Sequence, residues 1–146
     1  MPRGSRRLPA GALELLAAAD HVLHVGDFTS STVLDDLREL GPVTAVHGNM
    51  DEWPLREALP ERTTVDLEGL RIGLVHDPGP TTGRAERLRG WFPGCNLVAY
   101  GHTHRPEATL DGGVWIVNPG SPTERRRAAE HTLAVIREGR PELVVV

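Results

Sequence analysis

The chain has 146 residues and a formal net charge of −4 at pH 7, which fits one domain and argues against a basic nucleic-acid-binding surface. All of its basic side chains are arginines, which excludes lysine chemistry such as Schiff-base formation. The single cysteine, Cys95, excludes an internal disulfide and favours a reducing, cytoplasmic compartment, and the longest apolar run, residues 15–19, is too short to span a membrane.

Helices and strands alternate in the first half of the predicted structure. The expected elements are a helix over 9–19, a strand over 21–25, a helix over 30–40 and a strand over 43–47, followed by a loop over 51–61. The second helix has an apolar stripe at helical spacing and is ended by Gly41-Pro42. The sequence of this half therefore predicts a strand, a helix and a second strand in succession.

Strands dominate the second half. We expect strands over 63–67, 71–75, 96–100, 114–118, 132–137 and 141–146, with one basic helix over 82–91. Consecutive strands after a strand–helix–strand unit indicate an α/β domain, grading into α+β, with helices outside a sheet-rich core. We predict that residues 1–146 form this one domain.

Four short motifs place a polar side chain of the kind that binds metals at or just beyond the end of a predicted strand. They are Gly26-Asp27, Gly48-Asn49, His76 and Gly101-His102-Thr103-His104. Open α/β sheets bind ligands at the carboxyl ends of their strands, and glycine lets the backbone turn sharply there. Each motif alone is more typical of a turn or a hydrogen-bonded polar residue, but the four together favour a metal site.

The donor types narrow the choice of metal. One carboxylate, one amide and three imidazoles suit Mn²⁺, Fe, Zn²⁺, Co²⁺ or Ni²⁺ better than Mg²⁺, which prefers oxygen ligands. His102 and His104 are two residues apart, so on an extended segment both can reach one cavity. A carboxylate can bridge two ions about 3.5–4 Å apart, the arrangement that generates a hydroxide for in-line attack on phosphorus.

In these motifs, and in the turn Asn118-Pro119-Gly120-Ser121, the chain resembles the small bacterial and archaeal phosphodiesterases of the calcineurin-like metallophosphoesterase superfamily. The resemblance implies a four-layer α/β/β/α sandwich. It also implies a catalytic dinuclear metal centre in which Asp27 bridges the two ions, Asn49, His76 and His102 complete one site, and His104 belongs to the other.

By the same resemblance the chain is a metal-dependent phosphodiesterase acting on small phosphodiesters, with Mn²⁺ as the first expectation among the divalent ions. Asp51, Trp53 and Arg125 are candidates for supporting or substrate-facing roles. Met50 stands where some members carry a histidine that assists the leaving group, which favours substrates with good leaving groups. Nucleic acid enters only as a potential substrate, and no membrane partner is expected.

The beginning of the chain departs from the family pattern. Members open with a strand ending in Asp-x-His, whereas residues 1–9 resemble the basic, proline-containing loop that follows that strand. We therefore expect an N-terminally truncated domain that lacks its first central strand, leaves two strand edges unpaired and holds at most one ion firmly. Two alternatives follow: a protein-binding scaffold, since the family includes a retromer subunit, or an inactive fragment.

Overall fold

The computed structural model describes residues 7–146. Residues 1–6, which hold most of the expected N-terminal loop, lie outside the described residues. The helices are α1 (Ala10–Ala17), α2 (Ser31–Leu40), α3 (Trp53–Ala58) and α4 (Arg84–Trp91). The strands are β1 (Val22–His24), β2 (Val43–Ala45), β3 (Arg62–Leu67), β4 (Leu70–Val75), β5 (Leu97–Tyr100), β6 (Glu107–Asp111), β7 (Val114–Asn118), β8 (Thr132–Arg137) and β9 (Arg140–Val145).

A five-stranded sheet in the order β3-β4-β5-β7-β6 forms the centre of the fold. Strand β5 runs parallel to β4 and β7 and is buried along its whole length, as expected for a strand covered on both faces. Leu88 of α4 and Phe92, the residue that follows α4, pack against Val98 and Tyr100 on one face of this sheet. The opposite face meets the layer formed by β1, β2, β8 and β9, where Val46 and Ile136 contact it.

The three N-terminal helices cover the far side of that second strand layer. Leu34 and Leu37 of α2, Leu55 of α3 and Leu16 of α1 pack together with Ala45 of β2. The order of layers is therefore α4, the large sheet, the smaller strands and helices α1–α3. This confirms the expected four-layer α/β/β/α sandwich.

Two local predictions were wrong. The loop expected over 51–61 contains α3, because Pro54 stands in its first turn, where proline is tolerated, and Leu55 is buried. Strand β6 was not predicted; it pairs with β7 through the turn at Gly112-Gly113. The Asp-Gly-Gly sequence there is a hairpin signal that could have revealed it.

Strands β1 and β8 each have one open edge in the part of the chain that the structure describes. β1 pairs only with β2, in parallel, and β8 pairs only with β9, in antiparallel. Residues of both strands line the same cavity of about 720 Å³. Among the described residues, no helix has the length and apolarity needed to cross a bilayer.

Candidate metal centre

The predicted ligands follow the carboxyl ends of strands in both layers, and four of them meet. His76 Nε2 lies 2.9 Å from Asn49 Oδ1 and 3.5 Å from Asp27 Oδ2. His102 Nδ1 lies 3.3 Å from the same Asn49 oxygen, and its ring stands edge-on to that of His76. The structure therefore brings Asp27, Asn49, His76 and His102 into one cluster.

The orientation of the His76 ring is set by its backbone contact. Its Nδ1 lies 2.7 Å from the Val25 carbonyl oxygen, which can only accept, so Nδ1 is the donor in this hydrogen bond. The other ring nitrogen, Nε2, faces the Asp27 carboxylate and the Asn49 amide oxygen. These nitrogen and oxygen atoms converge at one buried point, where a bound cation would contact all three. The donor set therefore fits a metal ion.

Glycines allow these segments to approach so closely. A Cβ on Gly48 would stand 2.1 Å from Asp27 Oδ1, and a Cβ on Gly26 would stand 2.7 Å from His76 Nδ1. A Cβ on Gly101 would lie 2.8 Å from the Val25 carbonyl oxygen. The recurrence of glycine near the predicted ligands thus has a direct steric cause.

Asp51 links the two loops that carry Asp27 and Asn49. Its buried carboxylate accepts hydrogen bonds from the backbone N–H groups of Gly48 at 2.6 Å, Thr29 at 2.9 Å and Asp27 at 3.2 Å. Asp27 Oδ1 in turn accepts from the Met50 N–H at 2.9 Å. Asp51 therefore positions the ligand loops, a more specific role than its sequence context predicts.

The loop that carries His102 and His104 is held in place by hydrogen bonds from Asn118. The fully buried Asn118 amide donates to the Gly101 carbonyl and the Thr103 hydroxyl at 3.1 and 2.9 Å. Asn118 belongs to the turn singled out in the sequence, although no role was assigned to it there. Asp27, His102 and His104 all adopt left-handed backbone conformations, with φ of 61°, 63° and 57°.

His104 makes none of the side-chain contacts that join the other four predicted ligands. Its Nδ1 is hydrogen-bonded to the Glu124 carbonyl oxygen, and burial lowers its pKa below the usual value. It lines the same cavity as Asp27, His76 and His102. Among residues 7–146, no three His, Cys, Asp or Glu side chains converge closely enough to hold an ion. The observed cluster therefore depends on the Asn49 amide.

The candidate substrate residues are less closely tied to the cluster. Trp53 is 69% exposed at the start of α3. Arg125 donates to the Ala129 carbonyl at 2.5 Å, whereas its neighbour in the same arginine run, Arg126, donates to the His102 carbonyl at 3.2 Å. Arg126 is therefore the arginine of this run that contacts the ligand loop.

His24 is a further residue beside the cluster that the sequence did not single out. It stacks on Phe28 with ring centroids 3.6 Å apart, and its Nδ1 accepts from the Gly26 N–H at 3.1 Å. Burial lowers the pKa of His24 well below 6.5. The neutral ring thus orients the backbone just before Asp27.

The lowered pKa of His24 predicts that the stability of the protein depends on pH. Below pH 6.5 the unfolded chain binds a proton at His24 that the folded chain does not, so the free energy of unfolding should fall by up to about 1.4 kcal/mol per pH unit from this group. Urea unfolding of the wild type and of His24→Gln, carried out from about pH 5 to pH 8, compares the pH dependence of their free energies of unfolding. Equal pH slopes for the two proteins would contradict the assignment.

Comparison with known proteins places this geometry in context. The sequence profile described as "Calcineurin-like phosphoesterase superfamily domain" matches residues 4–139. A probable metallophosphoesterase of Methanothermobacter thermautotrophicus is 33% identical over 86% of this chain and 74% of its own length. Another from Methanocaldococcus jannaschii is 34% identical over 82% of this chain and 62% of its own.

The fold is also found among solved structures. The structure of vacuolar protein sorting 29 from Cryptosporidium parvum superposes with a TM-score of 0.77 at 24% identity, covering 100% of this chain and 91% of that one. At this identity the match concerns the fold. It agrees with the four-layer arrangement described above.

Proposed function

This chain belongs to the calcineurin-like phosphoesterase superfamily, and on that premise we propose that it is a metal-dependent phosphodiesterase. The observation that carries the proposal is the convergence of the Asp27 carboxylate, the Asn49 amide oxygen and His76 Nε2, with His102 beside them. A convergent set of N and O ligand atoms suits a divalent transition metal, with Mn²⁺ as the first candidate.

The residues of the site have two proposed roles: some would bind the metal ions, and others orient those ligands. Asp27, Asn49, His76 and His102 would hold an ion, and His104 would serve a second one. When bound, the ions would activate a water molecule and clamp the phosphoryl group. Asp51 and the Val25 carbonyl fix the orientation of the ligands, so that they need little rearrangement on binding.

The residue beside Asn49 bears on the choice of substrate. Met50 is 39% exposed and offers no proton to a leaving group. Substrates whose leaving group departs without protonation are therefore favoured, such as diesters of acidic alcohols or phenols. We propose small phosphodiesters as substrates, with nucleic-acid ends included only as compounds of that class.

The test compares bis(4-nitrophenyl) phosphate with the monoester 4-nitrophenyl phosphate, with and without Mn²⁺. We expect hydrolysis only with the ion, loss of turnover on adding a chelator, and kcat/KM for the diester roughly tenfold above that for the monoester. Mn²⁺ binding is measured separately by titration calorimetry, so that binding and turnover are distinguished. Ion binding without turnover would overturn the enzyme proposal and favour a scaffold.

A further inference from the structure

The segment that follows Ser121 contacts the loop of His102 and His104 at two points. The Glu124 carbonyl oxygen is hydrogen-bonded to His104 Nδ1. Two residues later, Arg126 donates from Nη1 to the His102 carbonyl oxygen at 3.2 Å. The guanidinium group of Arg126 is therefore anchored on the backbone of a predicted metal ligand.

The backbone of Arg126 distinguishes it from the arginines on either side. Its φ is 50°, a left-handed conformation that is unfavourable for a residue with a side chain. Arg125 donates to the Ala129 carbonyl oxygen instead, and Arg127 is exposed. Backbone strain of this kind is concentrated at functional sites. The middle arginine of the run is therefore the one that the fold directs to the metal centre.

Most of the hydrogen-bonding capacity of Arg126 is available to a ligand. A guanidinium group carries several N–H donors in a planar fork, and within residues 7–146 Arg126 uses them on the His102 carbonyl oxygen alone. The side chain is otherwise exposed. Its positive charge also acts on His104, whose pKa is lowered mainly by burial and further by Arg126. Free donors and a positive charge thus lie at the edge of the metal centre.

These donors face a region outside the metal centre itself. The described residues that line its cavity include Asp27, His76, His102 and His104 but not Arg126. A scissile phosphoryl group would bind among the metal ligands, so Arg126 borders the part of a substrate that extends beyond that group. Arginine binds phosphate through two parallel N–H···O hydrogen bonds. Phosphate also presents more acceptor oxygens and more charge than a carboxylate does.

We propose that Arg126 binds a phosphate group that the substrate carries in addition to its scissile phosphodiester. This inference rests on the proposed phosphodiesterase function and narrows it to phosphodiesters with a second phosphate close to the first. The hydrogen bond to His102 fixes the guanidinium group in advance, so that little side-chain freedom is lost on binding. Charge-assisted hydrogen bonds of this kind raise affinity about tenfold to a hundredfold.

The test compares two substrates that differ by one phosphate: thymidine 5′-(4-nitrophenyl phosphate) and the same compound phosphorylated on its 3′-hydroxyl. With Mn²⁺ we expect kcat/KM to be about tenfold higher for the 3′-phosphorylated compound. Arg126→Gln should bring this ratio to about one, whereas Arg127→Gln, the same change on the next exposed residue, should keep the wild-type ratio. A general loosening of the ligand loop would lower kcat/KM for both substrates and leave the ratio unchanged. A wild-type ratio of about one, or an unchanged ratio in Arg126→Gln, would overturn the proposal.

A binding measurement separates this proposal from the proposed function. Titration calorimetry in Mn²⁺ compares thymidine 3′,5′-bisphosphate with thymidine 5′-phosphate. About tenfold tighter binding of the bisphosphate, lost in Arg126→Gln and kept in Arg127→Gln, would support the proposal even if neither ester is hydrolysed. In that case the phosphodiesterase function alone would fail. Equal affinities for the two nucleotides, no binding of either, or an unchanged preference in Arg126→Gln would overturn the role of Arg126.

Discussion

Replacing Asp27 by Asn is expected to lower metal-dependent hydrolysis of bis(4-nitrophenyl) phosphate by about 10³-fold or more. Asp27 supplies the formal negative charge of the cluster, and its Oδ2 lies 3.5 Å from His76 Nε2. An amide in its place is neutral and can turn a donor toward the ion. We therefore also expect the affinity for Mn²⁺ to fall about 100-fold or more, measured by calorimetric titration.

The control for this substitution is Asp36→Asn, which makes the same chemical change on the exposed surface of α2. Turnover and Mn²⁺ affinity should both match the wild type. Equal turnover in Asp27→Asn and wild type would remove Asp27 from the catalytic cluster. Loss of Mn²⁺ binding in the variant, with no turnover in either protein, would keep the metal site and reject the enzyme.

The second large effect is expected from Asp51→Ala. The carboxylate is 7% exposed and accepts three backbone hydrogen bonds, from Gly48, Thr29 and Asp27. Its removal deletes these three hydrogen bonds, which join the two ligand loops. We expect the free energy of unfolding to fall by about 3–5 kcal/mol, measured by urea denaturation. The affinity for Mn²⁺ should fall about 10- to 100-fold.

Asp51→Asn separates the contribution of the negative charge from that of the hydrogen-bond acceptor, because the amide keeps one acceptor oxygen but loses the charge. It should lie between the wild type and Asp51→Ala in both stability and ion affinity. Asp35→Ala removes a carboxylate that is 69% exposed and should change stability by less than about 0.5 kcal/mol. If Asp51→Ala were as stable as Asp35→Ala, Asp51 would not hold the loops together.

The sequence could predict the ligand cluster because its determinants are local. A polar side chain at a strand end, with glycine nearby, specifies both where the side chain lies and how closely a neighbouring loop can approach. Gly26 and Gly48 show this directly, since a Cβ at either would collide with the opposite segment. The alternation of helices and strands along the chain indicated an α/β domain with helices outside the sheets, whereas the order of the four layers was expected from the family resemblance.

Features that depend on distant segments were not predictable in the same way. The role of Asp51 requires the Asp27 loop and the Gly48 loop to meet, which no spacing in the sequence encodes. The three arginines at 125–127 are equivalent as sequence. The backbone conformation decides between them, with Arg126 at φ 50° and its side chain against the His102 carbonyl.

The left-handed conformations of Asp27, His102 and His104 have a consequence for engineering this protein. Each costs roughly 1 kcal/mol that glycine would not incur. Selection for thermal tolerance alone would therefore enrich glycine at these positions, and each substitution would remove a side chain that we propose as a metal ligand. At these three residues a substitution that raises stability also removes a proposed metal ligand. Variants evolved for heat resistance should therefore be screened for ion binding at every round.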